Sequence, residues 1–200
     1  MSRFLEYLQG QQAAMIDTLA RLVAIDSPSQ ERDGVNRVAD FMSEALESAG
    51  ARVKRLAQPA FGDHLHATWG DGRRQILLLG HMDTVWPAGE TRKRPFHVEA
   101  GRATGPGAFD MKGGLVVGLY ALRALQALGL KPAHRLVLVL NSDEECGSPT
   151  SRATIEKEGR RSEAALVLEP SREGALVTWR KGVGRFEMEV QGVASHAGAA

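Results

Sequence analysis

The 200-residue chain predicts an α/β fold, a mixed and mostly parallel sheet with helices on both faces, from three observations. Short unbroken apolar runs, Ile76–Leu79, Leu136–Leu140 and Ala164–Leu168, read as strands buried on both faces. Longer segments of helical periodicity separate them, the alternation that builds a parallel sheet. Each run ends at ionisable or imidazole side chains, the edge where open α/β sheets collect ligands.

Taken in order, Phe4 to Ala24 and Asp33 to Ala49 have helical spacing, the second preceded by Ser27-Pro28-Ser29 as cap and turn and closed by Gly50. Strands are expected near Val53–Leu56, His64–Trp69 and Ile76–Leu79. Trp86-Pro87-Ala88-Gly89 and Pro95-Phe96-His97 read as loops, where Trp86 packs in place or lines a substrate entrance. A long helix spans Leu115 to Leu128, followed by the strand Leu136–Leu140, a short helix near Thr150 to Glu158, and strands at Ala165–Leu168 and Ala175–Trp179. From Gly182 the pattern changes, and Arg185-Phe186-Glu187-Met188-Glu189-Val190 alternates with period two. The expected division is a domain over 1–181 and the start of a smaller one over 182–200.

The chemistry concentrates at the ends of the runs. Asn141-Ser142-Asp143-Glu144-Glu145 follows the strand Leu136–Leu140. Adjacent carboxylates repel, and a simple division of labour has Glu145 binding a cation while Glu144 faces the attacking water as general base. Read alone, Asp143-Glu144-Glu145 is more often a solvated loop than a metal site. Gly80-His81-Met82-Asp83 places an imidazole and a carboxylate two residues apart, on one side of an extended chain. His81 can then give one nitrogen to a metal while Asp83 holds the other nitrogen's proton; the plainer alternative is a strand-capping histidine. Gly105-Pro106-Gly107-Ala108-Phe109-Asp110-Met111-Lys112-Gly113-Gly114 delivers Asp110, whose two oxygens can bridge two cations, ahead of the long helix. A glycine-rich loop before a helix can also cradle phosphate, but that reading ranks low here, because Lys112 is followed by Gly113 rather than Ser or Thr. Glu169-Pro170 closes the run from Ala164. Four such groups at run ends favour a metal site over coincidence.

Composition narrows the classes. With 25 Lys and Arg against 24 Asp and Glu, the net charge is +1, and neither a nucleic-acid partner nor a disordered acidic tract is expected. No stretch approaches the roughly 20 apolar residues that span a bilayer, and Met1–Glu6 shows no secretory pattern. The single Cys146 excludes an internal disulfide and agrees with a reducing, cytoplasmic setting. Without a histidine near it in sequence, Cys146 reads as structural rather than as a nucleophile.

These motifs, together with Gly192-Val193-Ala194-Ser195-His196-Ala197-Gly198, stand in the order found in the dinuclear zinc carboxypeptidase and deacylase family, which the chain resembles over almost its whole length. That family includes glutamate carboxypeptidase, acetylornithine deacetylase and succinyl-diaminopimelate desuccinylase; Arg180-Lys181-Gly182 and the Ser195-His196-Ala197-Gly198 ending look most like the glutamate carboxypeptidase branch. The resemblance implies a zinc-exopeptidase-like fold followed by a smaller α+β dimerisation domain. It implies two zinc ions, with cobalt or manganese also suited to the ligands: His81 and Glu169 on one, Asp110 bridging, Glu145 on the other. It makes Glu144 the general base and Asp83 the partner of His81. His196 belongs to the dimer domain and stabilises the tetrahedral oxyanion in a partner subunit. The family's second zinc takes a further histidine; His64, His66, His97, His134 and His196 stand in no motif matching that ligand, so the 200 residues are read as an amino-terminal portion of an enzyme or a truncated product. The peptide bond between Asp110 and Met111 is expected to be cis. Expected partners are a small peptide or N-acyl amino acid substrate and a second copy of the full-length chain. Deacetylase, desuccinylase and di- or tripeptidase activity remain alternatives, as does a fragment that binds metal weakly without catalysis.

Overall fold

A computed structural model describes residues 2–171, 173–184, 186–193, 195, 196 and 198. The chain divides into two compact units, Met1–Pro170 and Ser171–Ala200.

The first unit is built on a five-stranded sheet of order β1-β2-β6-β3-β7: β1 (Arg52–Leu56), β2 (His64–Trp69), β3 (Arg74–His81), β6 (His134–Asn141) and β7 (Ala164–Val167). Strands β6, β3 and β7 run parallel, while β2 pairs antiparallel with both β1 and β6. β1 therefore points the same way as β6, and only β2 is reversed. A separate hairpin joins β4 (His97–Glu99) to β5 (Arg102–Thr104).

Alternation along the central strands explains why helices cover both faces. Leu78, Leu138 and Leu140 face one way with Leu65 and Ala67, and pack against α2 (Gln12–Val23), α3 (Arg32–Ser48) and α5 (Gly113–Ala127) through Leu22, Val38, Met42, Leu115 and Leu119. Leu77, Val137 and Val139 face the other way, against Ile155 of α6 (Arg152–Arg160). Burying a side chain of this size contributes about 1.5–3 kcal/mol, so both layers are needed and a one-residue slip in register would lose both.

Several elements differ from the sequence reading. The expected helix Phe4 to Ala24 is two, α1 (Arg3–Gly10) and α2, broken at Gln11, whose N–H bonds to Leu8 rather than continuing the ladder. The apolar stripe runs through Leu8, Met15 and Leu19 onto the same core, so periodicity does not register the break. Ser27-Pro28-Ser29 does not cap α3: Glu31 takes the N-cap position without a side-chain bond. Two short elements, α4 (Glu90–Lys93) and the β4–β5 hairpin, form where no helix or strand is expected, and His97, read as loop, opens β4. The strands expected at Ala175–Trp179 and from Arg185 to Val190 are not formed as ladders among the described residues. A strand needs a neighbour for its N–H and C=O groups, and Leu176, Phe186, Met188 and Val190 are exposed. Arg185 itself lies outside the described residues, as do Ala194 and Ala197 beside His196.

Candidate metal centre

The order β6-β3-β7 puts β3 in the middle of the parallel strands, so the segments leaving β6 and β7 flank the carboxyl end of β3. His81 is the last residue of β3, Glu144 and Glu145 lie in a single tight turn after β6, and Glu169 stands just beyond β7. Asp110 arrives differently. It sits in a wide, kinked turn, Ala108–Lys112, at the start of α5, rather than at the end of a sheet strand. Gly107 opens that turn at φ 69°, and a Cβ there would stand 2.6 Å from Thr84 Cγ2, so the close pass beside Thr84 requires glycine. The Asp110–Met111 peptide is cis, as the resemblance implies.

These elements bring three side chains together. Nε2 of His81 lies 3.1 Å from Asp110 Oδ1 and 3.3 Å from Glu169 Oε1, and one donor atom from each of the three residues falls within 4.8 Å of the others. Four tetrahedral donors at about 2.0–2.1 Å from zinc stand roughly 3.3–3.4 Å apart. One imidazole nitrogen with two carboxylate oxygens at this spacing fits a divalent cation of zinc's kind. Glu144 Oε2 is 4.0 Å from the same nitrogen, beside the trio. Glu145 does not join the three-residue group.

The electrostatics carry the same message. Burial alone would lower the His81 pKa, but hydrogen bonding and charge from Asp83 and Glu169 outweigh it and push the imidazole up to about 11. Burial pushes Glu145 up to about 7, with His81 pulling it back and Asp110, Asp83 and Glu144 adding to the rise. Glu144 is raised chiefly by burial, His81 again opposing and Glu169, Asp83 and Asp110 reinforcing. Several carboxylates thus surround one imidazole, and the surplus negative charge favours a cation at Nε2.

Asp83 shows a division of labour finer than its spacing suggested. Its main-chain carbonyl accepts from His81 Nδ1 at 2.9 Å, whereas its carboxylate Oδ1 stands 3.4 Å from that nitrogen. A carbonyl only accepts, so Nδ1 carries a proton and Nε2 is free to ligate. The carboxylate is fully buried and receives the N–H groups of Glu144 at 3.3 Å and Glu145 at 3.2 Å.

Two further residues escaped the sequence reading. Asp143 is completely buried and accepts from Thr150 N–H at 2.6 Å, Thr150 Oγ1 at 2.8 Å, Ser151 N–H at 3.1 Å, Ser151 Oγ at 2.6 Å and Asn141 Nδ2 at 3.3 Å. It ties the Glu144–Glu145 turn to the start of α6; the signal available was Thr150-Ser151 preceding a helical segment. Ser29 Oγ donates to Asp83 Oδ2 at 2.6 Å, which no local pattern announces.

The other histidines have different partners: His64 is buried between Ser142 and Thr150, burial lowering its pKa from the ordinary value, His97 contacts Thr104, and His134 pairs with Glu163. His196 lies in the second unit, exposed, its Nδ1 accepting from Gly198 N–H at 3.1 Å. Cys146 is half-buried and accepts from Gln30 Nε2, and Trp86 packs beneath the Arg94 guanidinium at 4.9 Å.

An α/β sheet whose carboxyl edge gathers an imidazole among carboxylates is the build of a metal-dependent peptidase domain. The chain belongs to peptidase family M20/M25/M40, which it matches over residues 77–195. It is 35% identical over 195 residues to carboxypeptidase G2 of Pseudomonas sp. (strain RS-16), covering 95% of this chain and 47% of that protein. To acetylornithine deacetylase of Myxococcus xanthus it is 33% identical over 194 residues, covering 92% and 49%. The fold superposes on the crystal structure of human carnosine dipeptidase 1 with a TM-score of 0.72 at 22% identity, covering 82% of this chain and 40% of that one. The chain spans about half the length of the curated relatives it matches. Among the described residues no helix is long and apolar enough to cross a membrane.

Proposed function

We propose that this chain is the metal-binding part of a zinc-dependent hydrolase that cleaves the amide bond of an N-acyl amino acid or small peptide, with glutamate-terminated substrates the leading class. The observation that carries the reading is the convergence of His81, Asp110 and Glu169 donor atoms within 4.8 Å, with Glu144 alongside. Similarity to carboxypeptidase G2 at 35% identity supports carboxypeptidase action, and the resemblance of Arg180-Lys181-Gly182 and the Ser195-His196-Ala197-Gly198 ending supports the glutamate class. Deacetylase or dipeptidase action is the second reading, supported by the similarity to acetylornithine deacetylase.

In this reading His81 and Glu169 would hold one zinc, Asp110 would be shared with a second, and Glu145 would serve that second zinc. The chemistry zinc supplies when bound is Lewis acidity, which polarises a carbonyl and acidifies water. Glu144 takes a proton on its carboxylate from the attacking water and passes it to the leaving amine. Asp83 keeps Nε2 of His81 aimed at the site, with its carbonyl on Nδ1. His196 acts in the full-length homodimer as the oxyanion donor. The setting is a reducing cytoplasm, in keeping with a single cysteine.

The test is zinc stoichiometry by elemental analysis on the full-length protein, together with hydrolysis of a panel of N-acyl glutamates, N-acetylornithine, N-succinyl-diaminopimelate and dipeptides. Two zinc ions and preference for N-acyl glutamates are expected. Preference for N-acetylornithine would select the deacetylase reading, and absence of bound metal with no turnover would overturn both.

A further inference from the structure

The loop between α2 and α3 packs against the segment that follows β3. Ser27 carbonyl accepts the N–H of Thr84 at 2.8 Å, Pro28 bridges to Thr84, and Lys112 Nζ donates to the Ile25 carbonyl at 2.7 Å. Asp26 accepts the N–H groups of Gly89 and Thr91 at 2.7 and 3.0 Å. One short stretch, Ile25 to Ser29, is thereby fastened to the segments on both sides of the site.

At its end stands Ser29, buried, with its hydroxyl 2.6 Å from Asp83 Oδ2. That same oxygen accepts the N–H of Glu145, and the other carboxylate oxygen accepts the N–H of Glu144. The Asp83 carboxylate has rotational freedom about its last bond. Two main-chain N–H groups at 3.2 and 3.3 Å are long contacts, and a short hydroxyl bond to a charged acceptor is the strongest restraint in the set. The short Ser29 bond thus restrains the same carboxylate that accepts the Glu144 and Glu145 N–H groups.

We propose that Ser29 is a positioning residue of the metal centre: its hydroxyl locks Asp83, and through Asp83 it sets the register of Glu144 and Glu145 against His81. The proposal rests on the metal-site reading given above. It concerns a residue 54 positions away in sequence from Asp83, and one outside the three-residue donor group.

The loop contains its own control. Ser27 Oγ is also buried but has no hydrogen-bond partner among the described residues. Ser29→Ala and Ser27→Ala thus remove the same atoms two residues apart, and only one of them leaves a carboxylate short of a donor. In the full-length protein, zinc affinity is measured by competition with a chromogenic chelator, kcat and KM on the best substrate, and Tm on the metal-free form. Loss of a group supporting a metal ligand typically reduces affinity or activity by about 10–100-fold. Ser29→Ala is expected to lose roughly 10-fold or more in zinc affinity and in kcat with KM little changed, while Ser27→Ala matches the unsubstituted protein. Equal losses in both variants, tracking a fall in metal-free Tm, would show general loop damage and overturn the proposal. So would a Ser29→Ala protein whose zinc affinity and kcat stay within about twofold of normal. Zinc binding by the unsubstituted protein tests the metal reading separately.

Discussion

Gly114, at the start of α5, touches the strand end that carries Glu169. A Cβ at this position would overlap the Leu168 carbonyl oxygen and stand 2.9 Å from the Leu168 carbonyl carbon and 3.0 Å from Met111 Cε. Methionine can swing away, but the Leu168 backbone is tied by its own N–H to Leu79 at 2.8 Å and its side chain packs against the main core. In Gly114→Ala the carbonyl must retreat by on the order of 1 Å to restore van der Waals contact, and Glu169, the next residue, moves with it. Overpacking of this kind costs about 1–3 kcal/mol, a few degrees in Tm for a chain of this size, so the fold survives. A misplacement near 1 Å of a group in the reacting constellation costs about 100-fold. Zinc affinity by chelator competition and kcat/KM are therefore expected to fall by about two orders of magnitude while far-ultraviolet circular dichroism is unchanged. Gly159→Ala in α6 is the control: nothing lies within 4 Å of the added Cβ, and the change should raise stability by about 0.5–1 kcal/mol without touching metal binding. A Gly114→Ala protein that binds zinc and turns over normally would show that Glu169 is not held where metal binding requires it.

Three further outcomes are expected. Glu144→Gln leaves zinc content by elemental analysis unchanged, because the proposed role of Glu144 is proton transfer rather than metal ligation, while kcat falls by about 10²–10⁴; retained turnover removes Glu144 as the base. Asp110→Ala, which removes the carboxylate proposed to bridge, is expected to lose both proposed metals in equilibrium dialysis, and two zinc ions per chain after dialysis would contradict bridging. Asp63→Asn weakens a buried carboxylate that receives Arg55 Nε at 2.8 Å and Gln58 N–H at 3.1 Å; burial alone would raise its pKa, and these donors outweigh burial and hold it below its ordinary value. A depressed folded-state pKa contributes stability above the unfolded value that is lost as pH falls. The deficit of Asp63→Asn in urea unfolding, roughly 1–2 kcal/mol at pH 7, should shrink below about pH 4; a deficit that stays constant down to about pH 2 would exclude the ionised carboxylate as its source.

The central strands β3 and β6 were legible in the sequence because both their faces are covered, so Leu136–Leu140 and Ile76–Leu79 are apolar at every position; β7 reads the same way, but all four of its residues are exposed rather than buried on both faces. The β4–β5 hairpin was not, since all of its strand residues are exposed and solvent imposes no alternation. The reverse error arose at Arg185 to Val190, where alternation is present but no ladder forms among the described residues. His81, Glu144 and Glu169 announced themselves by standing after apolar runs, and strand order then makes them neighbours, which sequence spacing cannot show. Asp110 was placed by its glycine-rich turn. Ser29 looked like a helix cap because a hydroxyl before a helix ordinarily is one; its partner is chosen by a contact between distant segments, which leaves no local trace.

The central claim is that one divalent cation binds between β3, β7 and the turn before α5. Anomalous diffraction at the zinc absorption edge, on crystals of the full-length protein grown with zinc, locates that ion without assumption. The account predicts a peak about 2.0–2.2 Å from His81 Nε2 and from one oxygen each of Asp110 and Glu169. A fully occupied zinc elsewhere, with those three side chains unligated, would contradict it.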